Sequence, residues 1–141
     1  MKGLKRFVLG CTLAASLGVS TADAATDIDT RLAVLRGLDK ITGRITTLTT
    51  PVGDTVRFGS LAIIVRACRT RPPEEPPESA AFLDIADIKP NQPPVDVFRG
   101  WMYASSPAVS AMDHPVYDIW LLECKEPISP PADSGNPIET G

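Results

Sequence analysis

Between Leu61 and Cys68 apolar side chains recur at every second position, so that Leu61, Ile63, Val65 and Ala67 share one side and Ala62, Ile64, Arg66 and Cys68 the other. A repeat of two is the spacing of an extended strand, whose side chains alternate between faces; a helix repeats near 3.6. The same strand-length, β-branched and aromatic character returns in Phe82 to Ile88, Val97 to Tyr103 and Val116 to Leu122. The last run is apolar on both faces apart from Asp118 and reads as a central strand. Arg31 to Leu38 and Arg44 to Thr49 flank Asp39-Lys40-Ile41-Thr42-Gly43, where Gly43 can take the positive φ of a hairpin turn. Pro51-Val52-Gly53-Asp54 forms a further turn, leading into Val56 to Gly59. About seven short strands with turn signals between them predict an all-β fold, a single antiparallel β-sandwich or small barrel.

Prolines divide these runs. Arg71-Pro72-Pro73-Glu74-Glu75-Pro76-Pro77-Glu78 excludes a helix or inner strand and predicts an extended surface connector of polyproline II type. Its bland role is a loop between strands, and its sharper one a partner-binding strap with an acidic face. Lys89 to Pro94 is a second connector. From Glu126 the composition turns to Pro, Ser, Asp, Gly and Asn, which predicts a disordered tail over residues 126–141.

The amino terminus indicates export. Lys2, Lys5 and Arg6 precede the apolar run Phe7 to Val19, and Ala22-Asp23-Ala24 supplies small residues where a signal peptidase cuts. The pattern predicts a signal peptide over residues 1–24, cleaved after Ala24, and a periplasmic β domain over residues 25–125. The apolar run is too short for a membrane span, which needs about 20 residues. Only three apolar residues precede Cys11, too few for a lipid-anchored terminus.

Cleavage removes three positive charges and one negative, so the net charge of −3 becomes −5. An acidic chain lacks the electrostatic footprint of a nucleic-acid or anionic-membrane binder. Of three cysteines, Cys68 and Cys124 remain. In an oxidising compartment such a pair is most simply a disulfide, with two buried thiols as the alternative. One histidine and no C-x-x-C pair leave too few ligands for zinc, and nothing in the composition asks for a cofactor.

The stretch from Gly100 to Cys124 holds both tryptophans, both tyrosines and the only histidine. A hydrolase reading would take Ser105 or Ser106 as nucleophile, His114 as base and Asp113 or Asp118 as the orienting carboxylate. These residues lie within 14 positions of one another, and no G-x-S-x-G turn presents the serine. The structural reading is simpler. Ser105-Ser106-Pro107 caps a short helical turn that ends at Asp113-His114-Pro115, with His114 as a hydrogen-bonding pin and Trp101 and Trp120 in the core.

Leu38-Asp39-Lys40-x-Thr42-Gly43-Arg44, Pro51-Val52-Gly53, Phe58-Gly59-x-Leu61, Arg66-x-Cys68, Arg71-Pro72-Pro73-Glu74-Glu75, Ala81-Phe82-Leu83, Gly100-Trp101-Met102-Tyr103-Ala104-Ser105-Ser106-Pro107 and His114-Pro115-Val116-Tyr117-Asp118-Ile119-Trp120 occur in this order. On these blocks the chain, from about Leu32 to Cys124, resembles a family of small secreted alphaproteobacterial proteins classified as a domain of unknown function. The resemblance implies a periplasmic location and no established activity.

A third reading starts from the arginines. Arg36, Arg44, Arg57, Arg66, Arg69, Arg71 and Arg99 are many guanidinium groups for an acidic chain. Some are expected to pair with Asp84, Asp87, Asp118 or the Glu74-Glu75 loop. If several converge beside Trp101 and Tyr103, they form a site for an acidic peptide or a glycan carboxylate. The expected binding residues are Trp101, Tyr103, Arg71, Glu74, Glu75, His114 and Tyr117, and the expected role is a non-enzymatic envelope binding or assembly module with a protein partner. An enzyme instead requires one concave pocket joining Ser105, His114 and Asp118.

Overall fold

The computed structural model describes residues 26–127. The expected signal peptide and all but the first two residues of the expected tail lie outside the described residues. Eight strands follow in order: β1 (Ile28–Asp29), β2 (Leu32–Asp39), β3 (Arg44–Pro51), β4 (Thr55–Phe58), β5 (Leu61–Thr70), β6 (Ser79–Asp87), β7 (Val95–Tyr103) and β8 (Tyr117–Lys125). A single 3₁₀ turn, Pro107–Ser110, precedes β8. All pairings are antiparallel. One sheet is ordered β3-β2-β8. In the other, β5 carries β4 and β1 along one edge and β6 then β7 along the other.

The two sheets close as a sandwich because their alternating apolar residues meet between them. Ala33 and Leu35 of β2 with Ile119 and Leu121 of β8 face Leu61, Ile63 and Val65 of β5 and Ala81, Leu83 and Ile85 of β6, all buried. Burying such side chains is worth about 1.5–3 kcal/mol each for Val, Leu and Ile. The β8 run, expected to be central, is an edge strand that pairs with β2 alone. Its inner face, Ile119 and Leu121, fills the core, and its second apolar face lies outside the sandwich.

The tryptophans follow from the same parity. Trp120 lies opposite Arg36 on the outer face of the three-stranded sheet, and Trp101 lies opposite Phe82 on the outer face of the five-stranded one. Both are half-buried and outside the core, contrary to the expectation from size alone.

Cys68 and Cys124 form a disulfide with α-carbons 5.5 Å apart. A bulge on each strand makes this possible. Straight alternation from Leu61 would put Cys68 on the outer side, but Arg66 is an extra residue: Val65 pairs with Leu83 and Ala67 with Phe82, so Cys68 turns inward beside Ala81. In β8 the extra residue is Leu122, since Leu121 pairs with Leu35 and Glu123 with Val34; Cys124 then faces inward opposite Ala33. Each bulge shifts the register by one residue, which exchanges the two faces for everything beyond it.

The turns obey local chemistry. The Asp39 Oδ1 accepts the backbone N–H of Ile41 and Thr42, and Gly43, at φ 70°, donates to the Asp39 carbonyl, closing the β2–β3 hairpin. Gly59 combines φ 57° with a close approach of the Tyr117 ring, which occupies the place a Cβ would take. The β5–β6 connector is not a straight polyproline segment. Glu75 N–H donates to the Pro72 carbonyl and Arg71 N–H to that of Glu78, so the prolines bend it into a hairpin loop.

Candidate functional site

Strand β6 separates two polar clusters. At its start, the Glu78 carboxylate accepts the Ser105 hydroxyl and the backbone N–H groups of Ser79 (3.0 Å) and Ser105 (3.2 Å). Burial pushes the Glu78 carboxyl up, but these three donors outweigh it and hold the group below its usual range. The helical turn expected after Tyr103 is therefore anchored by Glu78. Ser106, at its amino end, makes no side-chain capping bond.

At the other end, His114 is 5% exposed. Its Nδ1 accepts the backbone N–H of Val116 and Tyr117, both at 3.1 Å, which leaves the ring proton on Nε2, 3.3 Å from the Asp87 carboxylate. The Asp87 carboxyl is lowered to about 2, first by the Ser60 hydroxyl and then by Lys89 and His114, against the opposing effect of burial. Tyr117 stacks on the His114 ring and meets Phe58 edge-on, both at 5.4 Å between centroids, which seals this end of the sandwich.

Hydrogen bonding distributes the expected triad among separate partners. Ser105 belongs to Glu78, His114 to Asp87, and Asp118 pairs with Lys40 Nζ at 3.1 Å. Glu78 immediately precedes the nine-residue strand β6 and Asp87 ends it, so at about 3.3 Å per residue their backbones lie roughly 25–30 Å apart. A cavity of about 390 Å³ reaches Glu78, Ser105 and Cys124 without His114 or Asp118, and a groove of about 290 Å³ reaches Asp118 without Ser105 or His114. The Nδ1 lone pair that a base would need already accepts the two backbone N–H groups, and Nε2 is held by Asp87. Asp113 is exposed and joins neither cluster. Among the described residues no group of three or more His, Cys, Asp or Glu side chains is placed to hold a metal ion.

The outer face of the five-stranded sheet brings other expected residues together. Trp101 packs edge-on against Phe82 with centroids 5.6 Å apart, and the Arg69 guanidinium lies 5.3 Å above the Trp101 ring. Such a cation over an indole contributes about 0.5–1 kcal/mol where exposed. Tyr103, opposite Ala80 and 39% exposed, shares a shallow depression with Arg69, Arg71 and Glu78. Next along the sheet, Asp84 takes Arg99 at 2.9 Å and Arg66 at 3.2 Å, and Arg99 foremost holds its carboxyl below the usual range. Arg66 reaches outward here on the side that alternation from Leu61 assigns it, shared with Ile64.

These arginines arrive already paired: Arg69 with Asp29 at 2.9 Å, Arg71 with Glu75 at 3.8 Å, and Arg66 and Arg99 with Asp84. The surface is thus an aromatic centre inside a ring of ion pairs, and not a concentrated positive patch. Glu74 is exposed in the adjoining loop, whereas His114 and Tyr117 sit at the opposite end and do not join this face. Sequence reasoning missed Phe82, Asp29 and Glu78; each acts through a partner far away in the chain and carries no local signal.

Over residues 33–124 the chain matches a family described as uncharacterized proteins conserved in bacteria (DUF2155), and it belongs to that family. The match runs from the first core residue of β2 to the second disulfide cysteine. The chain is also 28% identical over 87 residues to a protein of Rickettsia prowazekii (strain Madrid E) named Uncharacterized protein RP359, an alignment covering 62% of this chain and 56% of the relative. The chain thus spans a little over half the length of that relative. No solved structure matches it.

Proposed function

We propose that this member of the family is an exported, non-enzymatic binding module of the bacterial envelope whose protein partner docks on the outer face of the five-stranded sheet. The observation that carries the reading is the Phe82–Trp101–Arg69 stack with exposed Tyr103 beside it. Aromatic and arginine side chains at the centre of a polar rim are the composition of protein interfaces. Ion pairs already formed around Asp84 spare the partner the ordering of long side chains, and each guanidinium retains N–H groups for acceptors on the partner. Export is supported by the charged, apolar and A-x-A segments of the amino terminus, and by a disulfide that persists in oxidising compartments. No helix among the described residues is long and apolar enough to cross a membrane.

The test is site-specific photo-crosslinking in intact cells from Tyr103, with Asp54 in the β3–β4 turn as the comparison position. A discrete adduct from Tyr103 that Trp101→Ala eliminates, with the melting temperature unchanged, is the expected result. Equal adducts from both positions, or none from Tyr103, would refute the reading.

A further inference from the structure

The opposite face of the sandwich carries a strand with one edge unpaired. Strand β8 pairs only with β2, and Trp120 adds half-buried apolar surface on its outer face beside that open edge. Beyond the β2 ladder, residues 118–122 make no backbone hydrogen bond among the described residues, so alternate N–H and C=O groups remain open along the other edge. That edge is one wall of the groove of about 290 Å³, whose far wall is Pro107, Ala108, Ala111 and Met112. Between those lining residues Val109 is 74% exposed, a further apolar side chain on the same turn.

Arg36 supplies the second observation. It stands opposite Trp120 at the centre of the same face, and its Nε is buried without a hydrogen-bond partner. Burying a polar donor unpaired costs about 1–3 kcal/mol, more for a charged group. Arg66, Arg69, Arg71 and Arg99 on the other face have acidic partners, whereas none serves Arg36 among the described residues; on β8, Asp118 is taken by Lys40 and Glu123 by Lys125. The missing group is an acceptor, best a carboxylate, delivered from outside.

We infer that the β8 edge and its groove receive an extended acidic peptide segment of a partner protein, added as a fourth strand of the three-stranded sheet with a glutamate carboxylate on Arg36. A strand added to β8 lies about 4.8 Å beyond it and so about 10 Å from β2, a gap that an arginine and a glutamate side chain span together. Small apolar side chains two positions away pack against Trp120 and into the groove. The open backbone groups select a peptide over a lipid, because only a peptide returns the hydrogen bonds of a strand edge. This surface is distinct from the Trp101 face, so either can fail alone.

The probe is a randomised eight-residue peptide library selected against the full exported chain with its disulfide formed. Enriched sequences are expected to alternate β-branched residues with one glutamate or aspartate. A synthetic peptide of that sequence should shift the amide resonances of Asp118 to Leu121 and of residues 107–112 in the wild-type protein, a readout that requires no variant to fold. Its affinity should fall at least tenfold with Arg36→Gln, less with Arg36→Lys, and equally when its glutamate becomes glutamine. Enrichment without an acidic residue, shifts mapping elsewhere, no enrichment at all, or displacement of the peptide by phosphatidylglycerol vesicles that themselves bind this groove would each overturn the assignment.

Discussion

Replacing Cys68 and Cys124 together by alanine should lower the melting temperature by about 20 °C. The bridge joins residues 56 apart, and closing a loop of that size removes roughly 14 cal/mol/K from the unfolded chain, or about 4 kcal/mol at 25 °C. A domain of about 100 residues unfolds with an entropy near 0.2 kcal/mol/K, and the ratio of the two gives the shift. Alanine is the right replacement because both sulfurs face the core, 2% and 6% exposed, and a serine there would add a hydroxyl with few acceptors. Calorimetry of the wild type with and without reductant, beside the double variant, separates the cross-link from the side-chain change. Reduced wild type and variant should melt within a few degrees of each other. A fall of less than about 5 °C in both, with the oxidised bridge verified by mass, would refute the reasoning: the unfolded chain would then be compact enough that the bridge restricts little.

Deleting Leu122 removes the β8 bulge while leaving Glu123 opposite Val34 and Cys124 opposite Ala33, so the disulfide should still form and both thiols should stay protected from alkylation in the unreduced protein; free thiols would show that Leu122 is not the extra residue of that strand. Because the Asp87 carboxyl lies at about 2 against an ordinary 3.8, the unfolded chain binds more protons in acid, and about 2 kcal/mol of stability present above pH 4 should disappear as pH falls through 2. Denaturant titrations across that window should show this loss, and His114→Ala, which strips a partner from Asp87 and from two backbone N–H groups, should destabilise the fold by about 2 kcal/mol while Ser105→Ala changes it by less than half as much. Mass spectrometry of the exported protein should find Ala25 as its first residue; an intact amino terminus would remove the basis for a periplasmic assignment.

Strand positions were legible because alternation, β-branched residues and turn glycines are local signals, and Gly43 behaves as its neighbours require. The faces were less legible. An extra residue in a strand has no compositional mark, so nothing about Arg66 or Leu122 announces a bulge, yet each decides on which side every later residue stands. Counting by twos from Leu61 sends Cys68 to the wrong face. The disulfide was nonetheless foreseeable, because an expected oxidising compartment and an even cysteine number favour it over two buried thiols without geometry.

The polar sites show the same division between local and distant causes. Ser105, His114 and Asp118 are near in sequence, which made a triad conceivable, but their partners Glu78, Asp87 and Lys40 lie 27, 27 and 78 positions away and pull them apart. Sheet order likewise depends on pairings no short window contains. A run apolar on both faces reports that both faces are covered; it does not report which strands lie along its edges. Strand β8 pairs with β2 alone, and its open edge, the outward Trp120 and the buried Arg36 Nε without a hydrogen-bond partner are the features on which the inferred peptide strand rests.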